Sequence, residues 1–151
     1  MSSPGKLMFA VTREDPEIEI LIHNTINPKS ILTVASGGCL PFQLKHMFPK
    51  TRVVAFDFNY KQIEHCKIKA QKIKNNNLLD LNIDNNDSRG INQCGQFESM
   101  FRTLRFLFIE FLSSEEEIND FFSDRVSIDD RRNLIDSWVA NPYWEVIFYM
   151  T

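Results

Sequence analysis

Ser36-Gly37-Gly38-Cys39 follows an apolar, β-branched run from Ser30 to Ala35 and precedes a short segment of helix-forming residues. Glycine in such a turn lets backbone approach a ligand that a Cβ would hold away. The helix opening after it offers unpaired N–H groups and the positive end of its dipole. Asp57 stands 20 residues after Gly37, at the end of a second apolar run, Arg52 to Phe56. A carboxylate there can accept hydrogen bonds from ribose hydroxyls. The set predicts a nucleotide or nucleoside site, with a purely structural turn as the plainer alternative. The three-glycine pattern that lets backbone close on a pyrophosphate is absent. That disfavours a nicotinamide dinucleotide and leaves a sulfonium nucleoside compatible.

These residues need strands and helices to hold them. Ser30 to Ala35 and Arg52 to Phe56 read as buried strands, with a short helix from Pro41 to Phe48 between them. Asn59 caps a longer helix, Tyr60 to Lys74, whose expected inner stripe is Ile63, Cys66, Ala70 and Ile73. Upstream, Leu7 to Val11 is the first structured piece. Asp15 caps a helix that has Pro16 in its first turn and Ile18, Leu21 and Ile22 on one face. The expected class is α/β: a Rossmann-like βαβ half over residues 1–75, its sheet incomplete in this chain. A polar, Asn-rich loop over 76–94 follows, then a helical region over 95–151. In that last region Phe97, Met100, Phe101, Leu104, Leu107, Phe108, Phe111 and Leu112 recur at helical spacing. Ser114 with Glu117 forms a capping box for a helix carrying Ile118, Phe121 and Phe122. Ser127 starts another with Leu134, Ile135 and Trp138, and Asn141-Pro142 a last one with Trp144, Ile147 and Phe148.

Composition narrows the function classes. The chain of 151 residues is 43% hydrophobic with 13 Phe, which supplies a core and excludes disorder. A net charge of −3 gives no electrostatic pull towards nucleic acid, and no nucleic-acid partner is expected. Cys39, Cys66 and Cys94 are far apart and odd in number, which fits a reduced, cytoplasmic setting without a disulfide framework. His23, His46 and His65 lack metal-ligand spacing and read as solvated or locally bonded, so no metal is expected. Cys39 reads as a small filler ahead of a nucleophile. Lys61, Lys67, Lys69, Lys72 and Lys74 read as a solvated helix face ahead of a cationic strip for phosphate headgroups. The Phe-rich helix reads as core ahead of a peripheral membrane contact. Arg13-Glu14-Asp15-Pro16 has a full explanation as a helix start.

Ile31-Leu-Thr-Val-Ala-Ser-Gly-Gly-Cys39, then Val53-Val-Ala-Phe-Asp-Phe-Asn59 with Gln62 shortly after, resembles the S-adenosylmethionine:diacylglycerol 3-amino-3-carboxypropyltransferases, which make the first intermediate of betaine lipids. Phe9-Ala-Val-Thr-Arg-Glu-Asp-Pro16, Gly95-Gln-Phe-Glu98 and Asp130-Arg-Arg-Asn-Leu-Ile-Asp-Ser-Trp138 extend the likeness over almost the whole chain. The resemblance implies S-adenosylmethionine as cofactor and a lipid hydroxyl, that of diacylglycerol, as acceptor. By it, Ser36, Gly37, Gly38 and Cys39 line the cofactor, Asp57 holds its ribose, and Asn59 belongs to the same set. Arg13, Glu14 and Asp15 sit near the site. No catalytic base is identified. Members of that family continue past Tyr149-Met-Thr151, so the resemblance implies a short or truncated member whose sheet a second chain could complete. Two other readings stand beside it: an ordinary methyltransferase, served by the same strand, turn and acid, and a non-catalytic remnant that binds a partner or membrane surface.

Overall fold

β-branched residues favour extended backbone, and both apolar runs form strands in the computed structural model, which describes residues 5–82 and 89–150. β1 (Ser30–Val34) and β2 (Arg52–Phe56) pair in parallel and in step, Ser30 opposite Arg52 through Val34 opposite Phe56. A bond from the Ala35 N–H to the Phe56 carbonyl, 2.7 Å, extends the ladder by one step. Parallel neighbours need a crossover, supplied here by α2 (Cys39–Met47). The fold is mixed α/β with a two-stranded sheet. Around it lie α1 (Glu17–Ile26) and α3 (Tyr60–Lys74), then 3-10 turns at Leu79–Leu81 and Ile91–Gln93. The polar segment expected at 76–94 is thus partly turned; its centre, 83–88, lies outside the described residues. Next come α4 (Gln96–Phe111), α5 (Glu115–Phe121), α6 (Ile128–Val139) and α7 (Tyr143–Met150). The chain forms two compact units, Met1–Ser99 and Met100–Thr151.

Local capping chemistry sets the helix starts. The Asp15 carboxylate accepts the Glu17 N–H at 3.0 Å, and the Asn59 side chain accepts that of Lys61 at 3.1 Å. In the second unit Ser114 and Glu117 form the reciprocal capping box, and the Ser127 hydroxyl accepts the Asp130 N–H. Phe108 lies at the centre of that unit's aromatic cluster, with Trp138, Trp144 and Phe148 ring centres 5.8–6.1 Å away. Leu107, Ile118, Trp138 and Ile147 are buried in the same unit.

Three expectations about burial are corrected in the first unit. The strands are not buried on both faces: Leu32 is 69% exposed, and Val34 and Phe56 are also open. A parallel strand is enclosed only when helices cover both faces, and the burial of β1 alternates, as it does when one face alone is covered. On α1, Ile18, Leu21 and Ile22 face solvent; the buried residue is His23. Its ring stacks on Phe48 at 3.4 Å and bonds the Thr51 hydroxyl at 2.8 Å. On α3 the buried face is Gln62, His65, Cys66 and Lys69, while Ala70 and Ile73 are exposed. Polar side chains win that face because it meets main chain whose N–H and C=O groups need partners.

Candidate functional site

Ligands of open parallel sheets collect beyond the carboxyl ends of the strands. A cavity of about 540 Å³ opens there, inside the size range of small-molecule sites, roughly 300–1,000 Å³. Thr33, Val34 and Ser36 enter it from the end of β1, Asp57 from the end of β2, and Leu40 from the first turn of α2. The Asp57 carboxylate accepts the Ser36 N–H at 3.2 Å and the Asn59 N–H at 2.9 Å. Its oxygens together offer about four lone-pair sites, so acceptor capacity remains towards the cavity. Ser36 holds φ 43°, a left-handed conformation costing a non-glycine residue roughly 1–2 kcal/mol. Strain of this kind is characteristic of binding sites.

The opposite wall is the N-terminal segment: Phe9, Val11, Thr12, Arg13 and Glu14 face the same cavity, with Phe97 beside Phe9. The two phenyl rings stand 5.4 Å apart, inclined at 59°. Residues 7–12 form no helix or strand, so other elements must pair their backbone. Gln62 accepts the N–H groups of Met8 and Phe9 and donates to the carbonyls of Phe9 and Ser36. Glu98, 2% exposed, accepts those of Ala10 at 2.9 Å and Val11 at 3.3 Å. His65 Nε2 and Lys69 Nζ both donate to the Ala10 carbonyl, and Lys69 also to that of Gly37 at 2.7 Å. The first N–H groups of α4, on Gln96 and Phe97, donate to the carbonyls of Leu7 and Met8. A helix start that would otherwise lack partners is thereby satisfied.

The glycines serve this clamp. A Cβ on Gly37 would come within 2.4 Å of the Val11 backbone, and one on Gly38 within 2.9 Å of Cys66 and Phe42. Close approach is needed, as expected, but what approaches is the chain itself: main chain at Gly37 and side chains at Gly38. Cys39 lies beside them: its sulfur accepts the Thr12 N–H at 3.4 Å, and Lys69 Nζ is 3.8 Å away. Gly95 completes the arrangement, since a Cβ there would occupy the Glu98 carboxylate's position. Of the expected site residues, Ser36, Asp57, Arg13 and Glu14 meet at the cavity. Gly37 and Cys39 brace its wall through Val11 and Thr12, and Gly38 packs instead on Cys66 and Phe42. Asn59 caps α3 and donates to the Lys6 carbonyl, whereas the N-cap of α1 is Pro16, not Asp15, which accepts the Glu17 N–H from one residue before it.

Lys69 is a further correction: 4% exposed, it belongs to the buried clamp and not to a solvated strip. Gln62, Lys69 and Glu98 had one sequence signal between them, a Gly-x-x-Glu at a helix start, which sets a carboxylate over the helix's amide end. Burial holds the His65 and Lys69 pKa values below their ordinary ranges. His65 is pushed further down by the Lys69 charge, and Glu98 opposes it. A histidine kept neutral by folding binds a proton more readily when unfolded. Its stabilising contribution is full above pH about 6.5 and is lost as pH falls from there through the depressed folded value. Urea midpoints measured down this range should decline, and the His65→Gln variant should flatten that part of the profile. An unchanged slope would remove His65 as the cause.

Among the described residues, no group of His, Cys, Asp and Glu is arranged to hold a metal ion, and no helix is long and apolar enough to cross a membrane. Compared with protein-family models, curated proteins and solved structures, the chain gives no match.

Proposed function

We propose that the cavity binds S-adenosylmethionine and that the chain serves transfer of its 3-amino-3-carboxypropyl group to a lipid hydroxyl such as that of diacylglycerol. The observation that carries the binding reading is the meeting of Asp57 and left-handed Ser36 in one cavity beyond both strand ends. Its charge supports the choice of ligand. Three carboxylates, Glu14, Glu19 and Asp57, face one guanidinium, Arg13, a formal balance of −2. That balance repels phosphates and attracts a sulfonium. Phe9 and Phe97 offer an apolar, aromatic wall for a purine. Bound there, the cofactor supplies a carbon next to sulfur that is open to nucleophilic attack. In the transfer proposed, a C–O bond would form to the acceptor hydroxyl as the C–S bond breaks, with methylthioadenosine as leaving group and the hydroxyl proton passing to water. The chain's own part is to hold the ribose on Asp57 and to orient one carbon towards the acceptor. The aminocarboxypropyl direction rests on the family resemblance. A Rossmann-like cofactor half needs further strands, and a second chain would add them at the free edge of β1 or of β2.

Calorimetry with S-adenosylmethionine tests the binding. Asp57→Ala should weaken it by about 1–3 kcal/mol, the worth of hydrogen bonds to a charged partner. Asp57→Asn, which keeps one acceptor oxygen, should lose less. Wild-type protein that ignores the cofactor, or an alanine variant that binds it equally well, would end this reading. Product analysis then separates transfer types: methylthioadenosine marks aminocarboxypropyl transfer and S-adenosylhomocysteine marks methyl transfer.

A further inference from the structure

Cys39, the first residue of α2, is half-buried, and a buried amine from α3 lies beside it. Lys69 Nζ is 2.7 Å from each of the carbonyls of Ala10 and Gly37 and 3.8 Å from the Cys39 sulfur. Holding the N-terminal segment needs only the two carbonyl bonds and gives no reason for a thiol as the third neighbour. Burial favours the neutral amine at Lys69, with the Cys39 sulfur opposing it. A neutral amine has two N–H donors and one lone pair. With both donors given to the carbonyls, the lone pair is left to the sulfur. A desolvated lysine of this kind is a nucleophile.

We propose that Cys39 and Lys69 form a peroxide-sensitive modification site, in which the amine captures the oxidised sulfur as a reversible sulfenamide. The proposal does not depend on what the cavity binds. In the first step the Cys39 sulfur attacks hydrogen peroxide. An S–O bond forms, the O–O bond breaks, and water leaves with the thiol proton, giving a sulfenic acid. In the second step Lys69 Nζ attacks that sulfur. An S–N bond forms, the S–O bond breaks, and hydroxide departs with an amine proton as water. One peroxide thus removes the two electrons, and only the half-buried sulfur has to meet it. Two other groups compete for the sulfenic acid. The Thr12 nitrogen is nearer, at 3.4 Å, but its lone pair is delocalised into the peptide bond. The Cys66 thiol is buried, and burial pushes its pKa up, away from the thiolate that such an attack needs.

The test treats the folded chain with a small excess of hydrogen peroxide and maps its peptides by mass spectrometry. The Cys39 and Lys69 peptides should emerge joined, about 2 Da lighter than their sum, as expected for a sulfenamide. Trypsin should no longer cut after Lys69, and dithiothreitol should restore both peptides and the cut. Cys66→Ala should form the same link in undiminished yield. Lys69→Arg keeps a cation but offers no amine, so Cys39 should stop at the sulfenic acid, read as its dimedone adduct. Where that variant does not fold, the wild-type map decides alone. A Cys39–Cys66 disulfide, a bond from Cys39 to the Thr12 nitrogen, or Cys39 carried to sulfinic acid with Lys69 still cleavable would overturn the proposal. So would a Cys39 left reduced while the exposed Cys94 is oxidised.

Discussion

Glu98→Ala should lower the free energy of unfolding by about 2–5 kcal/mol, chiefly the cost of leaving two main-chain donors without their acceptor. The carboxylate accepts the Ala10 and Val11 N–H groups, and Arg13 approaches it at 3.9 Å. Truncation leaves two amides without a partner, each costing about 1–3 kcal/mol if it stays buried. It also withdraws the negative charge that favours the protonated form of Lys69. Glu98→Gln retains one acceptor oxygen and should cost distinctly less. Chemical denaturation gives the totals, and hydrogen exchange at Ala10 and Val11 locates them: those amides should lose protection first. A Glu98→Ala protein within about 1 kcal/mol of wild type would mean that the N-terminal segment is held by something else.

Gln62→Leu comes next in size. The side chain keeps its approximate volume and loses four hydrogen bonds at once, to Met8, Phe9 (twice) and Ser36. At about 1 kcal/mol net for each bond, the loss approaches 4 kcal/mol. Gln62→Glu separates the two halves of this role. It keeps the acceptors for Met8 and Phe9 but removes both donors and sets a carboxylate against two carbonyl oxygens. It should therefore be no more stable than the leucine variant. Because Phe9 and Ser36 both line the cavity, ligand affinity should fall in both variants at temperatures where they remain folded. A leucine variant of near wild-type stability would contradict this account of α3.

What the sequence makes legible divides along a physical line. Helix starts at Asn59, Ser114 and Ser127 are settled within three residues of the cap, so side-chain type and spacing suffice to read them. The pairing of Ser36 with Asp57 follows from strand, turn and acid in order, again a short-range pattern. The buried face of α3 is different. Apolar spacing points to Ile63, Ala70 and Ile73, whereas Gln62, His65 and Lys69 go inside. Their partners are main-chain atoms 26 to 59 residues earlier in the chain, and no local window contains that demand. Gly37 carries the same lesson. Its need for a missing Cβ is readable, but whether a ligand or Val11 fills the space depends on where residues 7–12 run.

The clamp on the N-terminal segment also sets a timetable for biosynthesis. Ala10 and Val11 leave the ribosome long before Glu98, the partner of their N–H groups 87 or 88 positions later. At roughly 5–20 residues per second, that interval lasts several seconds. Gln62, His65 and Lys69 are made earlier and can engage the segment in that interval, but those two amides lack their carboxylate and the cavity lacks Phe97. Final assembly of this half must then be a late, post-emergence event, triggered when the beginning of α4 becomes free to dock.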